Sequence, residues 1–192
     1  MKSAVLCFMC IGLMMVMCGC QTQSSDINLP KRPTKTELRQ AASICLKDLY
    51  VTMPFSKTLA PKAKAIVIFP RIYKAGLMYG GQTGDGVSLS SNGSPLGYYN
   101  ITAVSYGLQI GVQGFSYAMF LMSDAAVEYM NKTSGWEVGV GPSVVLVDEG
   151  LAKTMTTTTI QSDVYSFIFN QKGLMAGLGL QGSKITIINP AP

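Results

Sequence analysis

The sequence lacks histidine altogether, and only 13% of its 192 residues are charged. Without an imidazole there can be no Ser-His-Asp or Cys-His nucleophilic site and no His-ligated zinc. The carboxylates are dispersed, so no metal-ligand spacing is present. We therefore expect a protein that is not an enzyme and that uses no metal or other cofactor. Because 48% of the residues are hydrophobic, the low charge does not indicate disorder, and the length suits one domain.

The first twenty residues have the pattern of an export signal. Lys2 precedes an apolar run from Ala4 to Val16, which is shorter than the roughly 20 residues that a membrane-spanning helix needs. The Gly19-Cys20 junction resembles the site at which a bacterial lipoprotein is cleaved and its cysteine lipidated. This predicts a signal peptide over residues 1–19 and a palmitate-type anchor on Cys20. An ordinary cleaved signal or a spanning helix is the alternative.

The residue after Cys20 bears on where the anchored protein would lie. Gln21 stands where an aspartate would resemble an inner-membrane retention signal. We therefore expect a protein anchored in the bacterial outer membrane and facing the periplasm. Residues 20–33 are polar and contain two prolines, which predicts a lipidated tether before a single domain over residues 34–192.

The start of the domain has the signals of a helix. Thr34 and Glu37 form a capping-box pattern, and apolar residues then recur at helical spacing up to Pro54, which predicts a helix over residues 35–52. Cys45, the one cysteine left in the mature chain, falls on the apolar stripe. We expect its thiol to be buried and unreactive, with no disulfide in the domain.

The remainder reads as a glycine-rich β-domain, because 18 of the 20 glycines lie between Gly76 and Gly182 and the hydrophobic period changes to two. Asn92-Gly93 predicts a hairpin turn, and Ser123 a short helix ending near Asn131. The fold class is therefore α+β, with an N-terminal helix on a mostly antiparallel sheet and one further short helix. The predicted strands cover residues 65–69, 86–89, 96–102, 108–121, 137–147, 153–160, 163–170 and 174–188.

Three places were expected to interrupt these strands. Pro70 would end the first strand, because proline has no N–H for a ladder hydrogen bond. The alternation of apolar residues changes parity at Gly114 and again at Gly182-Ser183. A one-residue slip at a glycine is typical of a β-bulge, so a bulge or bend is predicted at Gly114.

Six glycines fall on one side of the predicted strands and leave that side without bulky groups. One interpretation is close packing of a helix on the sheet, and the other is a smooth groove for an acyl chain. The glycines of this possible groove face are Gly107, Gly111, Gly139, Gly141, Gly177 and Gly179.

Charge is segregated along the chain. Between Lys31 and Lys74 there are ten basic and two acidic residues, a balance of +8, whereas from Asp85 onward four lysines face seven carboxylates, a balance of −3. Basic side chains beside apolar ones suit an anionic lipid surface, at about 1 kcal/mol for each, although a merely solubilising face has the same composition. Nucleic acid is not expected, because stacking aromatics are not interleaved there. The predicted lipid-binding residues are Lys57, Lys62, Lys64, Arg71 and Lys74.

Five segments occur in the order that is found in one known family. They are 64–70 (KAIVIFP), 74–77 (KAGL), 80–82 (GGQ), 105–111 (SYGLQIG) and 139–142 (GVGP). Together they resemble the SYLF domain, a lipid-binding family also called the YSC-type actin-binding domain in eukaryotes. The resemblance implies a non-catalytic domain that binds acidic phospholipid, and Lys64, Arg71 and Lys74 are the matching basic positions. The actin role is not expected to transfer to an exported chain.

These observations lead to two functional hypotheses. The first is an outer-membrane lipoprotein whose SYLF-like domain binds acidic phospholipid or a membrane surface. The alternative is a structural or interaction lipoprotein that docks on an envelope protein or a cell-wall component.

Overall fold

The computed structural model describes residues 31–132, 135–137, 141–147 and 161–192. The predicted signal peptide, Cys20, the strand over 153–160 and Gly139 lie outside these residues. Residues Arg32–Pro192 form one compact unit. Both of its hydrophobic clusters lie between Leu38 and Ile185, so we expect this unit to fold by itself.

The N-terminal helix, α1, spans Lys35–Thr52, as the capping box predicted. The Thr34 hydroxyl accepts a hydrogen bond from the Glu37 N–H at 3.2 Å, and the Thr34 N–H donates to the Glu37 carboxylate at 2.8 Å. The apolar stripe of α1 is buried: Leu38, Ala42, Cys45 and Leu49. Burial raises the pKa of the Cys45 thiol, with the hydrogen bond to Ser116 opposing this and Asp48 adding to it.

Two short helices follow α1 in the part of the chain that the structure describes. The first, α2, spans Phe55–Leu59 and continues into a 3-10 turn at Ala60–Lys62. It was not predicted, because five residues are too few for a hydrophobic period. The second, α3, spans Asp124–Met130, as predicted, and the Ser123 hydroxyl caps it by accepting from the Ala126 N–H at 3.2 Å.

Within the described residues, the sheet has three long strands and two short ones. Strands β1 (Ala65–Leu89), β2 (Pro95–Leu121) and β5 (Val164–Ile188) are adjacent and antiparallel. Strand β3 (Trp136–Glu137) pairs antiparallel with one end of β5, and β4 (Val144–Val147) pairs parallel with the other. The hairpin turn between β1 and β2 contains Gly93 at φ +82°, which agrees with the Asn-Gly prediction.

The prediction that Pro70 ends the first strand is wrong. Phe69 pairs with Tyr117 and Ile72 with Phe115, so Pro70 and Arg71 form a bulge and β1 continues. A bulge removes the proline from the ladder, and the Ser116 hydroxyl donates to the Pro70 carbonyl oxygen at 2.8 Å.

The register irregularity at Gly114 is confirmed, but the strand parity inferred there is wrong. Gly114 pairs with Lys172 and Ser116 with Phe169. The extra residue therefore belongs to β5, where Asn170 has φ +54°, and β2 keeps one alternation throughout. Pairing also runs one to one across Gly182 and Ser183, so the second predicted parity change does not occur.

Strand β1 returns on itself, and two glycines allow the close approach. A Cβ atom on Gly86 would lie 2.5 Å from the Phe69 ring and 2.6 Å from the Ile68 carbonyl oxygen. A Cβ atom on Gly84 would lie 2.6 Å from the Arg71 carbonyl oxygen. The sheet is therefore curled rather than flat.

Alternation along the strands gives the sheet two faces. The helix face packs against α1 and carries the first core cluster, which includes Ile66, Ile68, Phe120, Tyr165 and Phe167. The cavity face carries the second cluster with α3, which includes Val67, Phe69, Ile101, Tyr117 and Met119.

Candidate functional site

The predicted basic residues lie on two parts of the chain. Three of them are exposed on α2 and on the segment that leads from it into β1: Lys57, Lys62 and Lys64. Arg71 and Lys74 lie seven and ten residues beyond Lys64, which is up to roughly 33 Å of extended chain.

Their surroundings differ as well. The Lys64 ammonium lies 3.4 Å from a carboxylate oxygen of Asp124. Arg71 is exposed and donates to the Tyr73 hydroxyl at 3.3 Å, whereas Lys74 is half-buried and lines a cavity. Arg71 thus lies beside a large exposed hydrophobic residue of the sheet, Tyr73.

The most unusual surface is an exposed apolar region on the helix face. Strands of 25 to 27 residues extend roughly 80 Å along their course, whereas an 18-residue helix covers only about 27 Å. The middle of the long strands is left uncovered. We call this region the exposed apolar face; its residues, between 54% and 88% exposed, are Tyr73, Leu77, Tyr79, Val104, Tyr106, Ile110, Val112 and Leu174.

Cross-strand pairing makes this face continuous. Leu77 pairs with Ile110, and Val112 pairs with Leu174. The rings of Tyr79 and Tyr106 are paired and lie 5.0 Å apart, centroid to centroid. A contiguous exposed apolar surface of this kind is typical of an interaction site.

The strand segments that carry the exposed apolar face hold charges of one sign. The strand segments that carry it, residues 71–83, 102–114 and 172–182, contain three basic residues and no acidic one: Arg71, Lys74 and Lys172. Lys172 is exposed and pairs with Gly114, which in turn pairs with Tyr73. Arg71 and Lys172 therefore border the face at one end.

A cavity of about 590 Å³ lies on the opposite, cavity face of the sheet. Its volume is within the range of small-molecule sites, roughly 300–1,000 Å³. Apolar side chains of three long strands and β4 form much of its wall, together with several amides and hydroxyls. The lining residues include Ile72, Lys74, Gln82, Gln113, Leu146 and Ile168.

Gln82, a polar residue of this wall, has an unsatisfied hydrogen-bond acceptor. Its side chain is 7% exposed, and its Oε1 has no hydrogen-bond partner among the residues that the structure describes. A buried acceptor without a donor costs about 1–3 kcal/mol. The Oε1 acceptor of Gln82 is therefore buried and unsatisfied within the described part of the chain.

The cavity wall at β4 is held by an interaction between Ser143 and Asp163. The Ser143 N–H and hydroxyl both donate to one carboxylate oxygen of Asp163, at 3.3 and 3.1 Å. Hydrogen bonds from the Ser123 hydroxyl and from Ser143 lower the pKa of Asp163 below its ordinary value. The ionised carboxylate thus fixes the start of β4 against β5.

The glycines of the predicted groove are only partly brought together. Gly107 pairs with Gly179, and Gly177 pairs with Gln109, so these backbones are neighbours in the middle of the sheet. Gly111 pairs with Gly76 and has φ +136°. Gly141 lies elsewhere, at the cavity rim, where a Cβ atom would meet the Tyr129 ring at 2.6 Å.

Sequence reasoning missed both the exposed apolar face and Gln82. The absence of acidic residues from three strand segments was a usable signal for the former. Nothing in the sequence marks Gln82, because its isolation depends on contacts between the curled halves of the sheet. No helix in the described part of the chain is both long and apolar enough to cross a bilayer.

Comparison with known proteins supports the resemblance found in the sequence. No curated protein matches the chain. Residues 102–190 match the model of the Ysc84 family, described as "Las17-binding protein actin regulator". That region contains two of the five segments that carry the resemblance, and the other three precede it. Residues 102–190 are therefore similar to the Ysc84 (SYLF) domain, in agreement with the resemblance found in the sequence.

Proposed function

We propose that the protein is a non-catalytic outer-membrane lipoprotein, anchored through Cys20 and facing the periplasm, whose SYLF domain binds acidic phospholipid surfaces. The observation that carries this proposal is the exposed apolar face with its acid-free strands and its two bordering cations, Arg71 and Lys172.

The composition of the face fits a lipid interface. Tyrosine has an apolar ring and a polar tip, which suits the headgroup level of a bilayer. Burial of Leu77, Ile110 and Leu174 would contribute about 25 cal/mol for each Å² removed from water. Arg71 and Lys172 would each add about 1 kcal/mol near anionic headgroups.

The proposed anchor leaves the domain free to use this face. A covalent lipid with two or more chains already holds a protein at one bilayer. Residues 20–33 would reach roughly 40 Å when extended. The face would therefore act on the anchoring leaflet or on a second membrane surface rather than recruit the protein. An exported chain would not meet the actin machinery named in the family description.

Liposome co-sedimentation of residues 32–192 tests the proposal. The double variant Leu77→Ser/Ile110→Ser should bind anionic vesicles at least about tenfold more weakly, because two paired apolar side chains are removed. Val51→Ser is the matched control, since Val51 is 80% exposed on α1, outside the face. Arg71→Ala/Lys172→Ala should weaken binding chiefly at low salt.

Each outcome separates the two functional hypotheses. Equal vesicle binding by the wild type and the Leu77/Ile110 variant would refute the proposed membrane surface. If no vesicle binds while an envelope extract retains the wild type but not this variant, the face docks on an envelope protein or cell-wall component instead.

A further inference from the structure

We propose that the exposed apolar face selects strongly curved or loosely packed membrane surfaces, because it forms the convex side of a sharply bent sheet. The inference rests on the proposed function and deepens it: among acidic bilayers, it names the kind that this face would bind. The bend, the width of the sheet at the bend and the balance of apolar and charged groups each support it.

Strand β1 folds over between Ile72 and Gly84. A Cβ atom on Gly84 would lie 2.8 Å from the Ile72 side chain and 3.1 Å from the Ile72 Cα atom, so these two parts of the strand touch. A straight strand would separate the two residues by roughly 40 Å. The segment between them, residues 73–83, therefore makes a tight bend.

All three long strands take part in this bend, because each lines the cavity from both sides of it. The lining residues on the two sides are Ile72 and Gln82 on β1, Ile101 and Gln113 on β2, and Ile168 and Ser183 on β5. The cavity therefore lies on the concave side of a bent three-stranded ribbon. The exposed apolar face lies on the other side of the sheet, which is the convex side.

Glycines on the concave side fit this bend. Gly76 pairs with Gly111, and Gly107 pairs with Gly179. Gly107 and Gly111 alternate with residues of the exposed apolar face, so they belong to the opposite, concave side. Bending crowds groups on the concave side and spreads those on the convex side. At these two pairs no Cβ atom stands in the way on the concave side, and the bulky groups project outward.

The convex side is a narrow ridge. Neighbouring strands lie about 4.8 Å apart, so the outer two of three strands are only about 10 Å apart. Residue 78 lies midway between Ile72 and Gly84, and its neighbours Leu77 and Tyr79 are 68% and 71% exposed. Large apolar side chains thus stand at the crest. A ridge of this width enters a bilayer more easily where curvature or loose packing separates the headgroups than where the headgroups are closely packed.

The balance of apolar and charged groups favours insertion over electrostatic adsorption. The apolar side chains extend along the whole exposed apolar face, whereas Arg71 and Lys172 border it only at one end. Binding by insertion grows with the apolar area that is buried, and it depends on curvature and lipid packing. The two cations add an attraction that depends on the surface charge of the bilayer. An acidic bilayer with packing defects offers both.

Vesicle flotation of residues 32–192 tests the inference at a fixed surface charge. Small sonicated vesicles are compared with large extruded vesicles of the same mixture of phosphatidylglycerol and phosphatidylcholine. Large vesicles made from the diphytanoyl forms of these lipids are the third sample, because methyl-branched chains loosen the packing without a change in size. Binding is compared at equal concentrations of outer-leaflet lipid.

The wild type should bind small vesicles about tenfold more tightly than large ones, with the diphytanoyl vesicles between them. Leu77→Ser/Ile110→Ser should bind all three weakly and without a size preference, because the crest has lost its apolar groups. Arg71→Ala/Lys172→Ala should weaken binding to small and large vesicles by the same factor, so the ratio between them should stay. Val51→Ser, on α1, is the control and should behave like the wild type.

The outcomes separate this inference from the proposed function. Equal binding of the wild type to all three vesicles would overturn the inference, and the proposed function would stand if that binding still required Leu77 and Ile110. A size preference that survives in Leu77→Ser/Ile110→Ser would overturn the inference as well. A preference for small vesicles that is equally strong without phosphatidylglycerol would refute the binding of acidic lipid and leave the inference intact.

Two further outcomes concern other occupants of the face. Sedimentation analysis without lipid shows whether two copies of the domain associate. A stable dimer that Leu77→Ser/Ile110→Ser disperses would assign the exposed apolar face to a second copy of this chain and overturn the inference. Absence of binding to every vesicle would refute both the inference and the proposed membrane surface.

Discussion

At the scale of single residues, surroundings decide chemical behaviour. Cys45 was expected to be buried from its spacing with Leu38, Ala42 and Leu49, and this is confirmed. Its raised pKa follows, because burial disfavours the thiolate. For Gln82 and Asp163, no local pattern distinguishes the residue from any other glutamine or aspartate. The role of Asp163 depends on hydrogen-bond partners about 20 or more residues away in the chain. Gln82 is distinguished by an Oε1 without a partner in the described part of the chain.

Asp163 provides a prediction about pH. The pKa of Asp163 is lowered in the folded state, so folding favours the ionised carboxylate. The contribution of this carboxylate to stability is complete above the unfolded-state pKa, near 3.8. That contribution is lost as the pH falls through the folded-state pKa. Asp163→Asn should therefore be less stable than the wild type at pH 6, and the difference should disappear in acid. Urea unfolding at several pH values measures this.

Glu128→Gln, which removes one negative charge from the exposed side of α3, controls for net charge. A stability difference between Asp163→Asn and the wild type that stays constant from neutral pH to strong acid would contradict the assignment.

At the scale of elements, α1 and α3 were predictable because their caps and periods are local. The long strands were divided wrongly at Pro70 because a bulge accommodates the proline. The face assignment of β2 failed for another reason: Ile110 and Val112 are apolar yet 61% and 63% exposed. A hydrophobic pattern locates the buried face only when the apolar residues are buried, and these two are not.

The curl of β1 gives a steric prediction. Gly86→Ala should destabilise the domain by about 1–3 kcal/mol, because the new Cβ would meet the Phe69 ring and a backbone oxygen. Gly81→Ala is the matched control in the same strand, where the nearest atom would be 3.9 Å away, and it should be nearly neutral. Chemical denaturation of both variants checks this. Equal stabilities would show that the two halves of β1 do not pack closely.

At the scale of the whole molecule, the proposed anchor and the domain have separate tasks. Cys20→Ala should abolish incorporation of labelled palmitate and release the protein from the membrane fraction, whereas Cys18→Ala should not. Gln21→Asp should move the protein from outer-membrane to inner-membrane fractions on a density gradient. Palmitate labelling that persists in Cys20→Ala would refute the anchor.

The sequence by itself determined α1 and α3, the α+β class, the hairpin turn, the burial of Cys45 and the resemblance to the SYLF domain, because capping, periodicity and short motifs are local properties of the chain. Only the tertiary structure decided which strand face is exposed, that Arg71 and Lys74 point to different surroundings, and that Gln82 lies unpartnered at a cavity. These features arise from the curl of the sheet and the limited length of α1. Both bring together or leave uncovered residues that are far apart along the chain.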